Sequence, residues 1–220
     1  ERAKGQAALM EADHLGIKRF LRLDSATYED GALDGRTKEL LGLVASAVLR
    51  CNDCIDYHLE QCVKLGFTRE QIVDALNDIA ECHKLQDRPD DAETTYREAL
   101  DLCDETIETH HAPLRMTLLY FGMFLNDRER HDEAITILER GLAACKLPQE
   151  VPTLTAARIA MHLGEALLQA KRPAEAQVFI DVATPVVTHR GQPGSTAFGK
   201  ILYYLGNYHQ REDRFDEAAR

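Results

Sequence analysis

Two cysteines and a histidine, Cys51, Cys54 and His58, follow one another in the spacing C-x2-C-x3-H. If a helix begins at Cys51, then Cys54 and His58 are i, i+4 neighbours on one face, so His58 can take a proton from the Cys54 thiol. The unpaired N–H groups of a helix N-terminus also lower the pKa of a thiol. Because Cys51 lies one turn earlier, it can attack an oxidised Cys54 and close a disulfide. The spacing therefore predicts a two-cysteine redox site.

Two other interpretations of the motif remain open at this point. Cys51, Cys54, His58 and Cys62 are all potential zinc ligands, but Cys51 and Cys62 lie about 16 Å apart along a helix, too far for one tetrahedral site. The sequence has no second Cys/His cluster to supply the missing ligands, so we expect no metal. Alternatively, the two cysteines are structural core residues and His58 is an ordinary residue of the helix. The other cysteines are expected to be reduced core thiols, namely Cys62, Cys82, Cys103 and Cys145.

Capping signals predict the helices that position this motif. Three helices are predicted in the first part of the chain, at about residues 4–21, 35–49 and 52–65. Asp34 is the expected N-cap of the second helix, and Gly66 is the residue expected at C′ of the third. Thr68 and Gln71 form a capping box that opens a fourth helix. The motif therefore lies at the start of the third helix.

The remainder of the chain repeats itself every 42 residues. Each repeat carries an anchoring alanine, namely Ala92, Ala134, Ala176 or Ala218. Twelve residues before each anchor lies a small residue that lets two helices approach closely, namely Ala80, Gly122, Gly164 or Gly206. Large residues recur four positions after three of the anchors, namely Tyr96, Leu138 and Ile180. Each unit is thus predicted to form helix A, a polar turn and helix B, stacked so that a continuous seam is buried.

This period resembles the tetratricopeptide repeat (TPR), in the longer form found in kinesin-light-chain-like arrays. The resemblance covers about residues 73–220, or about three and a half repeats. The helix that Thr68 opens carries the helix-A residues of the first repeat, so both parts share one helix without a linker. The repeat register also places nine residues on a concave face that would hold a peptide or protein, and the alternative is that they are merely solvated or pack against a neighbouring arm. These residues are Met116, Leu119, Met123, Arg158, Met161, Glu165, Lys200, Tyr203 and Asn207.

Three sequence features before residue 77 carry a second resemblance. The stretch LDGRTKELLGLVAS, the C-x2-C-x3-H motif and GFTREQIVDAL resemble the alkylhydroperoxidase D-like (AhpD-like) branch of the carboxymuconolactone decarboxylase superfamily, over about residues 18–76. The resemblance implies an all-helical core that assembles as a trimer or hexamer. It also implies thiol-disulfide peroxidase chemistry, reduced by a dithiol or lipoylated partner, with no cofactor beyond the cysteine pair. In this chemistry Cys54 resembles the peroxidatic thiol, Cys51 the resolving thiol, His58 the base and Glu39 the glutamate of the proton relay.

Two departures from the family pattern concern this site. Some members carry a histidine between the cysteines, where this chain has Asp53, and a carboxylate that faced the thiol would disfavour the thiolate. After Leu76 the family continues into a helix that covers the site, whereas this chain passes directly into repeat sequence. Either the first repeat replaces that cover or the site is more open. We therefore expect a helical domain at residues 1–76, truncated at its C-terminal end, and a TPR array at 73–220.

Composition excludes several classes of protein. The 220 residues include 26 basic and 37 acidic side chains, for a net charge of −11, which argues against broad binding to nucleic acid or anionic membranes. No apolar run approaches the roughly 18 residues that a membrane-spanning helix needs. The first residues also lack a signal-peptide pattern, so a cytoplasmic protein is expected. The expected fold class is all-α.

The junction between the two parts leads to two expectations for function. The shared helix, the start at Glu1 without a methionine and the end at Arg220 inside a repeat helix together predict an engineered rigid fusion. Such a fusion would act as a symmetric oligomeric scaffold, with the AhpD-like core setting the oligomer and the TPR arm projecting from it. It would retain thiol chemistry if the cysteine pair stays active. The alternative is a natural AhpD-like alkylhydroperoxidase or disulfide oxidoreductase with a TPR protein-binding module.

Overall fold

The structure, a computed structural model, describes residues 14–104, 112–145 and 153–190, together with residues 5, 8, 9, 11, 203 and 206. All regular secondary structure in these ranges is helical. The described helices are α1 (Leu15–Thr27), α2 (Gly35–Val48), α3 (Asn52–Lys64), α4 (Arg69–Leu85), α5 (Pro89–Asp104), α6 (Ala112–Asp127), α7 (His131–Ala143), α8 (Leu154–Gln169) and α9 (Pro173–Arg190). None of the described helices is both long enough and apolar enough to cross a membrane. The chain divides into two compact units, Glu1–Thr95 and Tyr96–Arg220.

The local capping predictions for the first unit are confirmed. Asp34 accepts a hydrogen bond from the Thr37 amide and caps α2. Thr68 and Gln71 exchange hydrogen bonds in a capping box at the start of α4. Gly66 follows α3 with a φ of +76°, a conformation that glycine adopts without the steric cost of a Cβ. These caps determine where α2, α3 and α4 begin or end, and so they determine where the cysteine motif lies along α3.

The first helix differs from its prediction. Instead of ending near residue 21, α1 runs from Leu15 to Thr27, after an N-cap at His14 whose Nδ1 accepts from the Gly16 amide. The Asp-Ser pair after Leu23 favours a turn in isolation, yet Ser25 is exposed on the helix surface and needs no competing bond. The Thr27 hydroxyl donates to the Leu23 carbonyl inside the helix. A turn-forming composition is therefore accommodated in the last turn of α1.

The first unit is held together by the packing of α2, α3 and α4 against one another. A small apolar core joins the three helices, and its buried members are Leu43, Ala47, Ile55 and Ile79. Leu43 and Ala47 are four residues apart on α2, as expected for one face of a helix. This core holds α3, which carries the cysteine motif, against α2.

The second unit is built as the repeat pattern predicts. Helix α6 packs on α7, α7 on α8 and α8 on α9, and α6 also contacts α8. A Cβ on Gly122 would lie 2.5 Å from the Leu138 side chain, and one on Gly164 would lie 2.7 Å from Ile180. The small residues are therefore required for the close approach of helix A to helix B. The anchors Ala134 and Ala176 are fully buried. The anchor of the fourth repeat, Ala218, lies outside the described residues.

Candidate redox site

Cys51 occupies the corner between α2 and α3. Its N–H donates to the Ser46 carbonyl, and the Arg50 N–H donates to Ala47, which together close a Schellman motif at the end of α2. Arg50 adopts a φ of +59°, the left-handed conformation that this motif requires and that glycine usually supplies. The Cys51 carbonyl then accepts from Cys54 and Ile55 and starts α3. One residue thus ends one helix and caps the next, which places Cys51 at a fixed position.

Cys51 and Cys54 are joined by a disulfide, with their Cα atoms 5.2 Å apart. This separation lies in the normal range for a disulfide, so the first turn of α3 accommodates the bond without moving its backbone. Both cysteines are half-buried, whereas Asp53 between them is exposed. The Asp53 carboxylate therefore faces solvent and does not occupy an inward position next to the sulfur atoms.

His58 and Glu39 form a buried pair across α3 and α2. The Nδ1 atom of His58 lies 2.6 Å from Oε2 of Glu39, and the two residues are 5% and 6% exposed. A carboxylate held at this distance fixes the ring orientation and favours the tautomer that carries its proton on Nδ1. In that tautomer the other ring nitrogen, Nε2, carries no proton. Because Cys54 precedes His58 by four residues on α3, both side chains lie on one face of the helix.

Gly42 makes room for the His58 ring, and the sequence analysis did not single it out. A Cβ at this position would lie 2.5 Å from Cε1 of His58 and 2.8 Å from each ring nitrogen. Gly42 lies three residues after Glu39, on the same face of α2. In the sequence, the indication of this contact is a small residue, Gly42, one helical turn after Glu39. It gains meaning only once α2 and α3 are known to be packed together.

Aromatic and thiol groups surround the histidine. The rings of Tyr28 and Tyr57 lie 5.4 and 5.2 Å from the His58 ring, centroid to centroid. Cys62, one turn after His58, is completely buried. Burial raises the pKa of the Cys62 thiol, and the nearby Glu39 carboxylate raises it further. Cys62 is therefore kept as a neutral thiol beside the pair, as expected for a core cysteine.

The side chains considered as zinc ligands have other partners or surroundings in the described part of the chain. No three His, Cys, Asp or Glu side chains there converge on one point. Cys51 and Cys54 bond to each other, and the Nδ1 atom of His58 is engaged by Glu39. The residues that sequence analysis considered as zinc ligands are thus arranged as a disulfide, a histidine-glutamate pair and a buried thiol.

The first repeat reaches the segment that carries the cysteines. The Gln86 side-chain amide donates to the Ala47 carbonyl at the end of α2. Arg88 and Asp91, at the turn into α5, hydrogen-bond the side chain of Asn52, the residue directly after Cys51. Of the two arrangements considered after Leu76, the structure therefore has repeat residues in contact with the start of α3.

The predicted peptide-binding residues are only partly accessible. Leu119 and Met161 are buried, at 0% and 4% exposure, so their assignment to an open concave face is corrected. Met161 packs in a core with Ala157, Ala160 and Val186, because α8 is covered by helices on both sides. The other described residues of this set keep some solvent exposure, namely Met116, Met123, Arg158, Glu165 and Tyr203. Lys200 and Asn207 lie outside the described residues.

These observations define an all-helical protein that joins a dithiol, histidine and glutamate site to 42-residue helical repeats. The chain belongs to the carboxymuconolactone decarboxylase family, which it matches over residues 17–85, and it matches the tetratricopeptide repeat over residues 71–147. The two matches share residues 71–85, all within α4. The predicted resemblances to both families are thus confirmed.

Two curated bacterial proteins are similar to about one third of the chain. The chain is 38% identical over 76 residues to protein 4 in the cox locus of Paracoccus denitrificans. This match covers 33% of this chain and 68% of that protein. The chain is 30% identical over 69 residues to a Cupriavidus necator protein. This match covers 31% of this chain and 61% of that protein.

Solved structures are similar to the helical solenoid. BtubC from P. vanneervenii is 17% identical, with a TM-score of 0.56 over 84% of this chain and 78% of that chain. A kinesin-light-chain-like protein of P. anserina with nearly identical TPR-like repeats is 15% identical, with a TM-score of 0.56 over 84% of this chain and 89% of that chain. At these identities the similarity shows the all-helical, TPR-like fold.

Proposed function

We propose that the chain is a thiol-disulfide oxidoreductase that reduces peroxides through Cys54 and Cys51. The observation that carries this proposal is the buried His58–Glu39 pair, whose histidine lies one helical turn beyond Cys54 in a motif already able to form its disulfide. A histidine oriented by a carboxylate is a suitable general base for a neighbouring thiol. Asp53 is exposed, so it does not oppose formation of the thiolate from a buried position.

The proposed cycle has three steps. His58 accepts the Cys54 proton, and the thiolate attacks the outer oxygen of the peroxide, so that the O–O bond breaks, an alcohol leaves with the proton from His58 and Cys54 becomes a sulfenic acid. The Cys51 thiolate then attacks the Cys54 sulfur, an S–S bond forms and the hydroxyl group leaves as water after protonation. An external dithiol, for example that of a lipoylated protein, reduces the disulfide and is itself oxidised to a disulfide. No cofactor enters this cycle.

Replacement of one sulfur tests the proposal. We expect Cys54→Ser to abolish dithiol-dependent turnover of an alkyl hydroperoxide, because serine supplies no thiolate at neutral pH. Cys103→Ser is the matched control, since Cys103 is half-buried at the end of α5 and distant in sequence from the motif. Turnover that survives Cys54→Ser would contradict the proposal, as would an equal loss in both variants.

As a second function, we propose that residues 1–95 assemble the chain into a trimer or hexamer that displays the repeats. The supporting observation is an apolar face of α2 that this single chain leaves in water, formed by Leu41, Val44 and Val48 at 54%, 61% and 64% exposure. Contiguous exposed apolar residues of this kind mark an association surface. Burial of the face against a second copy is favoured because each large aliphatic side chain contributes about 1.5–3 kcal/mol when fully buried.

Solution mass tests the assembly. Light scattering is expected to give a multiple of 24.7 kDa for the wild type and a smaller mass for Val44→Lys, because a buried lysine at the interface lacks a partner. Val178→Lys is the control, since Val178 is equally exposed but lies on α9. A monomeric wild type would contradict the proposal.

We further propose that the chain is an engineered fusion of two parts, residues 1–76 and residues 73–220. A genomic sequence with the same junction would contradict that origin.

Protein binding by the repeats is a further part of this second proposal. TPR solenoids bind partners on extended concave surfaces. The supporting residues are those of the predicted face that keep solvent exposure, with Tyr203 at 65%. A peptide library screened against the whole chain tests this role. We expect Arg158→Ala to lower the affinity for any peptide that binds. The absence of detectable binding would contradict it.

A further inference from the structure

The turns between helix A and helix B have the same backbone in three successive repeats. Each contains one residue in the left-handed conformation, namely Asp87, Glu129 and Lys171, with φ between 58° and 62°. Each is followed by an arginine whose N–H donates to the carbonyl five residues earlier. These arginines, Arg88, Arg130 and Arg172, therefore begin helix B from equivalent positions. Their side chains can be compared directly.

In the second and third repeats the arginine forms a closed pair with a glutamate three residues later. Nε and Nη2 of Arg130 donate to the two carboxylate oxygens of Glu133, both at 2.7 Å. Arg172 makes the same two bonds to Glu175, again at 2.7 Å. This parallel arrangement is the bidentate geometry that the guanidinium group favours. Each pair joins two residues at the N-terminus of one helix, α7 for Arg130 and α9 for Arg172.

In the first repeat the pair is open, and Asn52 is inserted into it. Asp91 replaces the glutamate, and its shorter side chain accepts only the Nε bond of Arg88, at 2.8 Å. Nη2 of Arg88 instead donates to Oδ1 of Asn52 at 2.7 Å, while Nδ2 of Asn52 donates to the second oxygen of Asp91 at 3.0 Å. The three side chains form a closed ring of hydrogen bonds, here called the Asn52 clamp. This orientation of the Asn52 amide matches its donor and acceptor to both partners.

The Asn52 clamp acts on the turn that carries the cysteines. Asn52 is the first residue of α3 and lies directly between Cys51 and the remainder of the motif. Burial tends to raise the pKa of Asp91, but hydrogen bonds from Asn52 and Arg88 outweigh it, and the pKa stays below its ordinary value. The carboxylate is therefore charged at neutral pH. A charge-assisted pair thus holds the N-terminal turn of α3, where helices ordinarily fray.

We propose that Arg88 and Asp91 of the first repeat are positioning residues for the cysteine pair, and that they act through Asn52. The inference rests on the proposed redox function of Cys51 and Cys54. The disulfide constrains the first turn of α3 covalently, whereas in the dithiol form only non-covalent contacts keep the two sulfur atoms close. The Asn52 clamp raises the effective concentration of one thiol toward the other, which favours the disulfide.

Substitution of Asp91 by glutamate separates the clamp from its charge. Asp91→Glu keeps the negative charge at the start of α5 but has the side-chain length that closes on arginine in the other two repeats, so Asn52 is released. We expect the equilibrium of the purified chain with oxidised and reduced glutathione to shift toward the dithiol by about two- to ten-fold, the range expected for one or two hydrogen bonds. Asn52→Ala is expected to give a similar shift. Glu133→Asp is the matched control and should leave the equilibrium unchanged.

The double variant distinguishes a shared clamp from two independent effects. If Asn52 and Asp91 act together, Asn52→Ala with Asp91→Glu shifts the equilibrium no further than either change alone. Circular dichroism at the same temperature checks that each variant keeps its helices. An unchanged equilibrium in Asp91→Glu and Asn52→Ala, or an equal shift in Glu133→Asp, would overturn the inference. The glutathione equilibrium needs no peroxide, so this failure is distinct from an absence of peroxide turnover.

Discussion

Two histidine-glutamate pairs, one in each unit of the chain, each contain a buried histidine whose Nδ1 atom lies within hydrogen-bond distance of a carboxylate, but their surroundings differ. In the first unit, His58 Nδ1 lies 2.6 Å from Glu39 Oε2, and the two residues come from different helices. In the second unit, His162 Nδ1 lies 2.9 Å from Glu165 Oε2, three residues further along α8. Both histidines are about equally buried, at 5% and 4% exposure. The pair alone therefore does not define a chemical site.

The difference lies in what the helix offers one turn before each histidine. Four residues before His58 is Cys54, whereas four residues before His162 is Arg158. His162 is instead built into the repeat, since its carbonyl accepts from the Asn126 side chain of α6. One pair thus has a cysteine one helical turn before its histidine, and the other joins helices of the solenoid. The comparison indicates that a nucleophile on the same helical face gives the first pair its proposed role.

Removal of the two glutamate charges should affect the chain very differently. We expect Glu39→Gln to lower kcat/KM for a hydroperoxide by about 100-fold, because the amide neither stabilises a protonated His58 nor holds the same tautomer as firmly. Glu165→Gln is expected to keep full turnover, because the residue one turn before His162 is Arg158 and not a cysteine. Steady-state kinetics with a fixed dithiol concentration measures both. Equal activities of the two variants would remove the basis for the comparison.

Two glycines permit close packing in the two units, and their substitution sharpens the contrast. A Cβ on Gly42 would meet the His58 ring at 2.5 Å, and one on Gly122 would meet Leu138 at the same distance. Each alanine variant should lower the free energy of unfolding by about 1–3 kcal/mol, the usual cost of an added methyl in a packed core. Only Gly42→Ala should also lower turnover, because the His58 ring must move. Urea unfolding and peroxide kinetics provide the two measurements.

The outcome for Gly42 depends on which element gives way. The Leu138 side chain can change rotamer, whereas the His58 ring is held by Glu39, so Gly42→Ala is expected to be the more damaging to geometry. A loss of turnover in Gly122→Ala as large as that in Gly42→Ala would indicate a general packing effect. In that case the His58 position would not explain the activity.

Sequence reasoning succeeded where the cause of a structure is local. The caps at Asp34, Thr68 and Gly66 follow from side-chain and backbone chemistry within three or four residues. The 42-residue period also carried its own packing rule, because the small residue and the large residue it faces recur together. Helix α1 is the exception, since its last turn tolerates Asp and Ser on a solvent-facing surface.

The same reasoning failed where contacts join distant residues. Leu119 and Met161 were assigned to an open face because single-helix register does not show which helices cover it. Gly42 carried no signal until α2 and α3 were known to pack together. The Asn52 clamp joins residues 36 positions apart and depends on Asp91 being one methylene shorter than its counterparts. Glu39 was identified only through family resemblance, because its spacing alone is that of a surface charge.

A third buried histidine, His83 on α4, extends the comparison to a ring whose Nδ1 atom is not hydrogen-bonded to a carboxylate within the described residues. It is 3% exposed, and its Nδ1 atom makes no hydrogen bond within the described part of the chain. Burial lowers the pKa of His83 below its ordinary value of 6.5, and Arg88 lowers it further, while Asp91 opposes the change. The ring is therefore neutral in the folded chain at a pH where it is already protonated in the unfolded chain.

The sign of the pH effect follows from that difference. As the pH falls below 6.5, the unfolded chain binds a proton that the folded chain does not, so the free energy of unfolding decreases until the pH falls below the folded pKa. We expect urea unfolding at about pH 8 and about pH 5.5 to show a loss of stability that is smaller in His83→Gln, because glutamine does not titrate. Asp91 interacts with His83, but its lowered pKa keeps it charged at both pH values, and groups distant from His83 contribute equally to both proteins. An identical pH dependence in the two proteins would show that His83 accepts its proton without cost, and therefore that burial does not penalise the charged form of this ring.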